Sequence, residues 1–141
     1  MTVYCDTSLI IASLTYEAHS PAVWRWLRTQ SDRRLYVSDW TDTEVSSALS
    51  LKVRTGQISA VDRIDLLETW RASIGTNYER VGVSAENFAT AAGFVERYEL
   101  GLRAADSLHL AIAQAYGLAM AMLDTRLRHA AIEYGIVVEG V

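Results

Sequence analysis

Short apolar runs alternate with longer stretches of helical periodicity along the whole chain. Thr2 to Cys5 reads as a strand, stopped by Asp6-Thr7-Ser8. Leu9 to Glu17 carries a helical pattern, with Asp6 or Thr7 as its cap. Ser20-Pro21 opens a second helix that runs to Thr29, with Ser as cap and Pro in the first turn. Leu35 to Ser38 predicts a short strand, and Thr41 to Arg54 a helix closed by Gly56. Ser59 caps the next helix, which places Val61, Ile64, Leu67 and Ile74 on one face and ends at Gly75. Tyr78 to Val83 alternates as a strand does. Ser84 caps a helix through Phe88, Ala91, Ala92 and Val95. Ala104 to Tyr116 is a helix closed by Gly117. Leu118 to Leu123 reads as a strand, Thr125 to Glu133 as a short helix, and Ile136 to Val138 as a last strand.

A continuous apolar run such as Ala119 to Leu123 predicts burial on both faces of its sheet. Strands alternating with helices then give an α/β domain, a three-layer sandwich with a mainly parallel central sheet. The 141 residues suit a single domain over 1–141 with a substantial core. Half the residues are apolar and 21% are charged, an ordinary globular balance. There is no internal repeat or low-complexity tract. Cys5 is the one cysteine, which excludes an internal disulfide and a cysteine-based zinc site. The amino end lacks the layout of a signal peptide, and no apolar run approaches the ~20 residues of a membrane span, so a cytoplasmic location is expected. The net charge of −4 argues weakly against non-specific nucleic-acid binding. Twelve of the thirteen basic residues are Arg, the better phosphate fork, so charge does not decide the partner.

Chemistry enters with four acids. Asp6 ends the first strand-like run, and Asp124 follows the run Leu118 to Leu123. Glu44 and Asp106 fall in the opening turns of predicted helices. In open α/β sheets ligands gather beyond the carboxyl ends of the strands, where these four can meet. Such a cluster repels itself unless a cation neutralises it. Hard cations held by carboxylates neutralise a phosphodiester and generate a nucleophile at neutral pH. Mg²⁺ is usually held by one or two carboxylates plus substrate phosphate. Asp6 and Asp106 are the first candidates as ligands. Asp124 and Glu44 would bind a second ion, orient waters or accept a proton, with Ser8 and Thr7 supporting them. An aspartyl phosphatase would need a second Asp where Ser8 stands. A phospho-acceptor receiver would need a late lysine, and Lys52 lies inside a helix. A phosphate-binding Gly loop and a Gly-x-Ser-x-Gly elbow are both missing.

Four blocks carry a family resemblance: Val3-Tyr4-Cys5-Asp6-Thr7-Ser8; Ser38 to Val45, continued by Ala48-Leu49 and Arg54-Thr55-Gly56; Ala105-Asp106-Ser107-Leu108-His109-Leu110-Ala111; and Leu123-Asp124-Thr125-Arg126-Leu127. In this order and spacing the chain resembles the PIN-domain ribonucleases, and within them the VapC-type toxins of toxin–antitoxin pairs. The resemblance covers nearly the whole chain. It implies a PIN-like fold and a Mg²⁺- or Mn²⁺-dependent endoribonuclease that cuts RNA needed for translation. It also implies a small antitoxin that covers the acidic site, and a homodimer. The four acids Asp6, Glu44, Asp106 and Asp124 would be its catalytic and metal-binding residues. One departure is Met122, where family members often carry Thr or Ser.

The remaining residues divide between bland and functional roles. His109 reads as a packed or hydrogen-bonded core histidine ahead of a general base. Arg103, one turn before Asp106, is placed for an i,i+3 ion pair. Arg126 and Arg128 are candidates for RNA phosphates and equally for a solvated helix face. Trp40 is the aromatic nearest Glu44, although most tryptophans fill cores. Asp39 and Asp42 are expected to be solvated. Helices 20–30 and 59–75 are candidates to present apolar surface to an antitoxin or second subunit, against ordinary core packing. Two rivals remain: a non-catalytic PIN scaffold, which loss of acids would mark, and a metal-dependent DNA nuclease, which would carry extra acids and long insertions.

Overall fold

The computed structural model describes residues 2–141. Among them, five strands alternate with seven α-helices. Strand β1 (Val3–Cys5) leads into α1 (Thr7–Leu14) and α2 (Ser20–Arg28). Strand β2 (Leu35–Ser38) leads into α3 (Asp39–Arg54) and α4 (Ala60–Ser73). Strand β3 (Tyr78–Val81) is followed by α5 (Ala85–Glu96), a 3-10 turn (Tyr98–Leu100) and α6 (Ala104–Ala115). Strand β4 (Ala119–Ala121), α7 (Thr125–Glu133) and β5 (Val138–Glu139) complete it. The sheet runs β3-β2-β1-β4-β5, and every pairing is parallel. The expected α/β sandwich is found, with a sheet that is parallel throughout.

Side-chain alternation along the strands separates two apolar layers. Val3 and Cys5 of β1, Leu35 and Val37 of β2, and Ala119 and Ala121 of β4 pack with α1 to α4. Tyr4 and Met120 face the other way, against α5, α6 and α7. β1 is central, so both its faces are covered, and Val3, Tyr4 and Cys5 have no exposed surface. From β1 the chain continues to β2 on one side, while β4 pairs on the other. The crevice beyond the carboxyl ends of β1 and β4 is therefore the switch point of the sheet, the usual ligand position in such folds.

Several boundaries differ from the periodicity. Helix α1 starts at Thr7, because the Asp6 carbonyl already accepts from the amides of Leu9 (3.1 Å) and Ile10 (3.3 Å). It stops at Leu14, and Ser20 turns back to accept from the Glu17 amide at 2.8 Å. Helix α3 starts at Asp39, earlier than Thr41, because Ser38 and Thr41 form a reciprocal capping box. Glu44 therefore lies in the second turn of α3, past the opening turn where the sequence placed it. Strands β3 and β4 are shorter than their apolar runs, and β5 lies at Val138–Glu139. The 3-10 turn is too short to show a period.

Asp42 is a junction, not a solvated acid. Its Oδ1 accepts from Trp70 Nε1 at 2.9 Å and its Oδ2 meets Arg80 at 2.7 Å, tying α3 to α4 and β3. Asp39, as expected, stays largely exposed. Helix α4 buries Trp70 but leaves Val61 and Ile64 exposed. Helix α2 buries Val23 and Trp26 in the core. No helix among the described residues is long and apolar enough to cross a membrane.

The packing of α3 gives a direct test. Leu49 is 0% exposed and Leu51, two residues on, is 50% exposed. Leu49→Ala should cost about 2–5 kcal/mol in urea unfolding. Leu51→Ala should stay within about 0.5 kcal/mol of the parent.

Candidate active site

The exit of β1 is fixed by the backbone. The Asp6 amide donates to the Ala121 carbonyl at 3.0 Å, so the ends of β1 and β4 are held side by side. Asp6 occupies the N-cap position of α1, yet its side chain makes no capping bond. Its carboxylate is buried. Oδ2 accepts from Ser8 Oγ at 2.6 Å, and Oδ1 lies 3.6 Å from His109 Nε2. Asp106 sits in the first turn of α6, with Oδ2 3.5 Å from Arg103 Nε. Asp124 follows β4 and does cap a helix: its Oδ1 accepts from the Leu127 amide at 2.9 Å. Its other oxygen lies 3.6 Å from Arg103 Nη2. Glu44 reaches in from α3, where its Oε1 accepts from Thr7 Oγ1 at 2.7 Å and contacts His109 Nε2 closely. The four acids, Ser8 and Arg103 line one open cleft of about 780 Å³ at the switch point.

The electrostatics follow from this crowding. Burial pushes the Asp106 carboxyl above its ordinary pKa, the charges of Asp6 and Asp124 add to the shift, and Arg103 opposes it. Burial also pushes Glu44 upward, but the hydrogen bond and charge of His109 and the Thr7 hydroxyl outweigh it, so Glu44 is held below its usual range. For His109, burial disfavours the imidazolium. Its bond to Glu44 and the charges of Asp6, Glu44 and Asp106 more than offset that, and the net shift is upward. Burial raises the Tyr4 hydroxyl and the Cys5 thiol, so both stay protonated and Cys5 is inert.

His109 is the core histidine that the sequence favoured, with no exposed surface. What the sequence missed is its contact with Glu44. Spacing places His109 on the same helix face as Asp106, three residues earlier, but carries no signal for Glu44, which is 65 residues away in sequence. The Arg103–Asp106 pair is found, and its extension to Asp124 is a contact that only the fold reveals. Arg126 is exposed. Arg128 instead stitches the backbone, donating to the carbonyls of Met122 and Glu139, each at 3.3 Å. Met122 points its side chain into the core beside α7, fully buried and away from the cleft. Trp40 packs against the same core layer.

Among the described residues, no three His, Cys, Asp or Glu side chains come close enough together to enclose a metal ion. Two carboxylates, Asp6 and Asp106, stand in the cleft without a backbone-capping role. Glu44 is turned partly to His109 and Asp124 partly to Leu127. Like charges crowd here, and burial already disfavours the ionised form of Asp106. That donor set fits a hard cation that takes one or two carboxylates and keeps its waters, not one wrapped by protein.

Among solved structures, the chain is similar to FitAcB from Neisseria gonorrhoeae, with TM-score 0.72, 21% identity, and 98% of this chain and 96% of that one covered. It is similar to VapC20 of Mycobacterium tuberculosis, a sarcin–ricin loop cleaving toxin, with TM-score 0.71, 17% identity, and 91% and 94% covered. VapBC2 from Rickettsia felis, solved on a DNA fragment from its promoter, gives TM-score 0.70 and 14% identity, with 99% and 98% covered. At these identities the likeness is one of fold, and it is to VapBC-type toxin–antitoxin structures. No curated protein sequence matches the chain. The sequence profile of the PIN domain matches residues 3–133, and the chain belongs to the PIN-domain family.

Proposed function

We propose that this chain is a divalent-metal-dependent endoribonuclease and the toxin of a toxin–antitoxin pair. The observation that carries this reading is the meeting of four acids, from four separate elements, in one cleft at the switch point of the sheet. The buried Asp6 carboxylate has no capping role to explain its position.

Asp6 and Asp106 are the residues that would hold Mg²⁺ or Mn²⁺. When bound, the cation supplies charge neutralisation on the phosphodiester and activation of a water. Ser8 fixes the orientation of Asp6 through its 2.6 Å hydrogen bond. Glu44 keeps Oε2 free of described hydrogen bonds, while Oε1 is held by Thr7 and His109. His109 and Thr7 keep this carboxylate ionised, and in that position it would orient a water by accepting its hydrogen bond. Asp124 adds negative charge through the oxygen that faces Arg103. Arg103 is itself largely exposed, and so is free to turn its guanidinium toward an RNA phosphate. An acidic cleft of this kind also suits neutralisation by a basic side chain of a small antitoxin. A homodimer and a cytoplasmic location belong to the same reading.

The decisive comparison is wild type against Asp6→Asn, with cleaved RNA ends mapped after expression and after incubation in vitro. Wild type should cut RNA and arrest growth, and both effects should vanish in Asp6→Asn and on chelation. Equal arrest by the two proteins, or cleavage that survives chelation, rules the reading out.

Asp124 separates capping from chemistry. Asp124→Ala should lose about 1 kcal/mol of stability in urea through loss of the cap. Asp124→Asn keeps a capping oxygen and should stay close to the parent in stability, while cleavage falls in both variants. Arg103→Ala removes a positive charge that competes with a cation for Asp106 and Asp124. The dissociation constant for Mn²⁺ without RNA, read by calorimetry, should fall about two- to fivefold, the range expected for exposed charge pairs.

A further inference from the structure

Three helices begin at the cleft. Asp6 precedes α1, Asp106 lies in the first turn of α6, and Asp124 caps α7. The positive end of each helix favours the adjacent carboxylate. Glu44 is different. It lies in the second turn of α3, beyond the reach of that helix's amino end, and it approaches the cleft on a long side chain. An unbraced Glu here would turn toward solvent, away from the other acids.

The bracing it receives is built from the core outward. Ser38 Oγ lies 2.9 Å from the Tyr4 hydroxyl, and that hydroxyl lies 2.6 Å from His109 Nδ1. On the other side of the ring, Nε2 meets Glu44 Oε1 and is 3.1 Å from Thr7 Oγ1. An ionised carboxylate only accepts hydrogen bonds, so Nε2 carries a proton and donates to Glu44. The imidazole has no exposed surface and cannot touch RNA in this arrangement. Its plane is fixed by Tyr4, whose hydroxyl has two side-chain partners and whose ring is buried in β1. This buried chain ends on one carboxylate oxygen of Glu44, a residue that lines the cleft.

We infer that His109, held by Tyr4, is a positioning residue that sets the Glu44 carboxylate in the active cleft. The inference deepens the nuclease reading and rests on it. A purely structural histidine would stabilise the fold equally with or without Glu44. A positioning histidine acts through Glu44 and loses its effect when Glu44 is neutralised.

The test is a double-mutant cycle. His109→Leu removes the donor, His109→Gln keeps one near the Nε2 position, and Tyr4→Phe removes only the hydroxyl that fixes the ring. Each is combined with Glu44→Gln. Urea unfolding identifies variants that fold. If His109→Leu does not, His109→Gln and Tyr4→Phe carry the cycle. With RNA saturating, kcat should fall about 10–100-fold in His109→Leu, with KM little changed, and His109→Gln should recover part of the loss. Mn²⁺ binding without RNA, read by electron paramagnetic resonance, should weaken in parallel. In the Glu44→Gln background the same changes should add less than about twofold. Losses that multiply across the cycle, or a His109→Leu protein that cuts and binds Mn²⁺ like wild type, overturn the positioning role. The two readings fail separately. Cleavage abolished by Asp6→Asn but additive across the cycle sinks only the positioning role. Cleavage indifferent to Asp6→Asn sinks the nuclease reading and the positioning role with it.

Discussion

Mutual repulsion among carboxylates at the exits of β1 and β4 is the constraint around which the rest of the site is arranged. Asp6 is buried, Asp106 and Asp124 each lie near Arg103, and Glu44 leans on a buried imidazole. The fold offsets the crowding in two ways. Helix amino ends supply partial positive charge to three of the acids, and His109 serves the fourth. Neither device removes the crowding: burial first, and then the charges of Asp6 and Asp124, still push the Asp106 carboxyl above its ordinary range. The residual negative potential is what the cleft offers to a cation.

That arrangement depends on the central position of β1. Covered on both faces and paired on both edges, β1 carries Tyr4 into one layer and delivers Asp6 to the cleft two residues later. The amide of Asp6 is tied to β4 through Ala121, so the exit of β1 is held against the strand that Asp124 follows three residues later. Polar groups that enter the core here are satisfied: Tyr4 by Ser38 and His109, and His109 by Tyr4 and Glu44. A buried polar network is costly when incomplete and specific when complete. Packing and site geometry are thus the same set of contacts, seen from the core and from the cleft.

Much of this was legible in the sequence, because local signals and tertiary structure agree. Continuous apolar runs gave the parallel sheet, and Asp6 and Asp124 stood directly after two of them. The approach of Glu44 was placed less well. Its helix opens earlier than the apolar pattern suggests, through the Ser38–Thr41 capping box, which shifts Glu44 into the second turn. Asp42 looked like a surface acid because neither Trp70 nor Arg80 is near it in sequence. The role of Met122 also depends on the third dimension. The missing hydroxyl mattered in the sequence, whereas in the fold this side chain packs into the core. Long-range hydrogen bonds between side chains leave no period, and so these partners stay hidden until the chain is folded.

The oxygens left over after folding divide the four acids into two kinds. Asp124 gives one oxygen to the first turn of α7, and Glu44 gives one to Thr7 and His109. Asp106 accepts no described hydrogen bond, and Asp6 accepts one from its neighbour Ser8, two residues along. A ligand that must take carboxylate oxygens therefore meets least competition at Asp6 and Asp106. At Asp124 it would compete with a helix cap, and at Glu44 with a buried donor. Moving either of those two groups would disturb backbone or core hydrogen bonds, so they are held as fixed walls of negative charge. The cleft is asymmetric for this reason. Two acids stand ready to change partners, and two are held in place by the fold that brought them there.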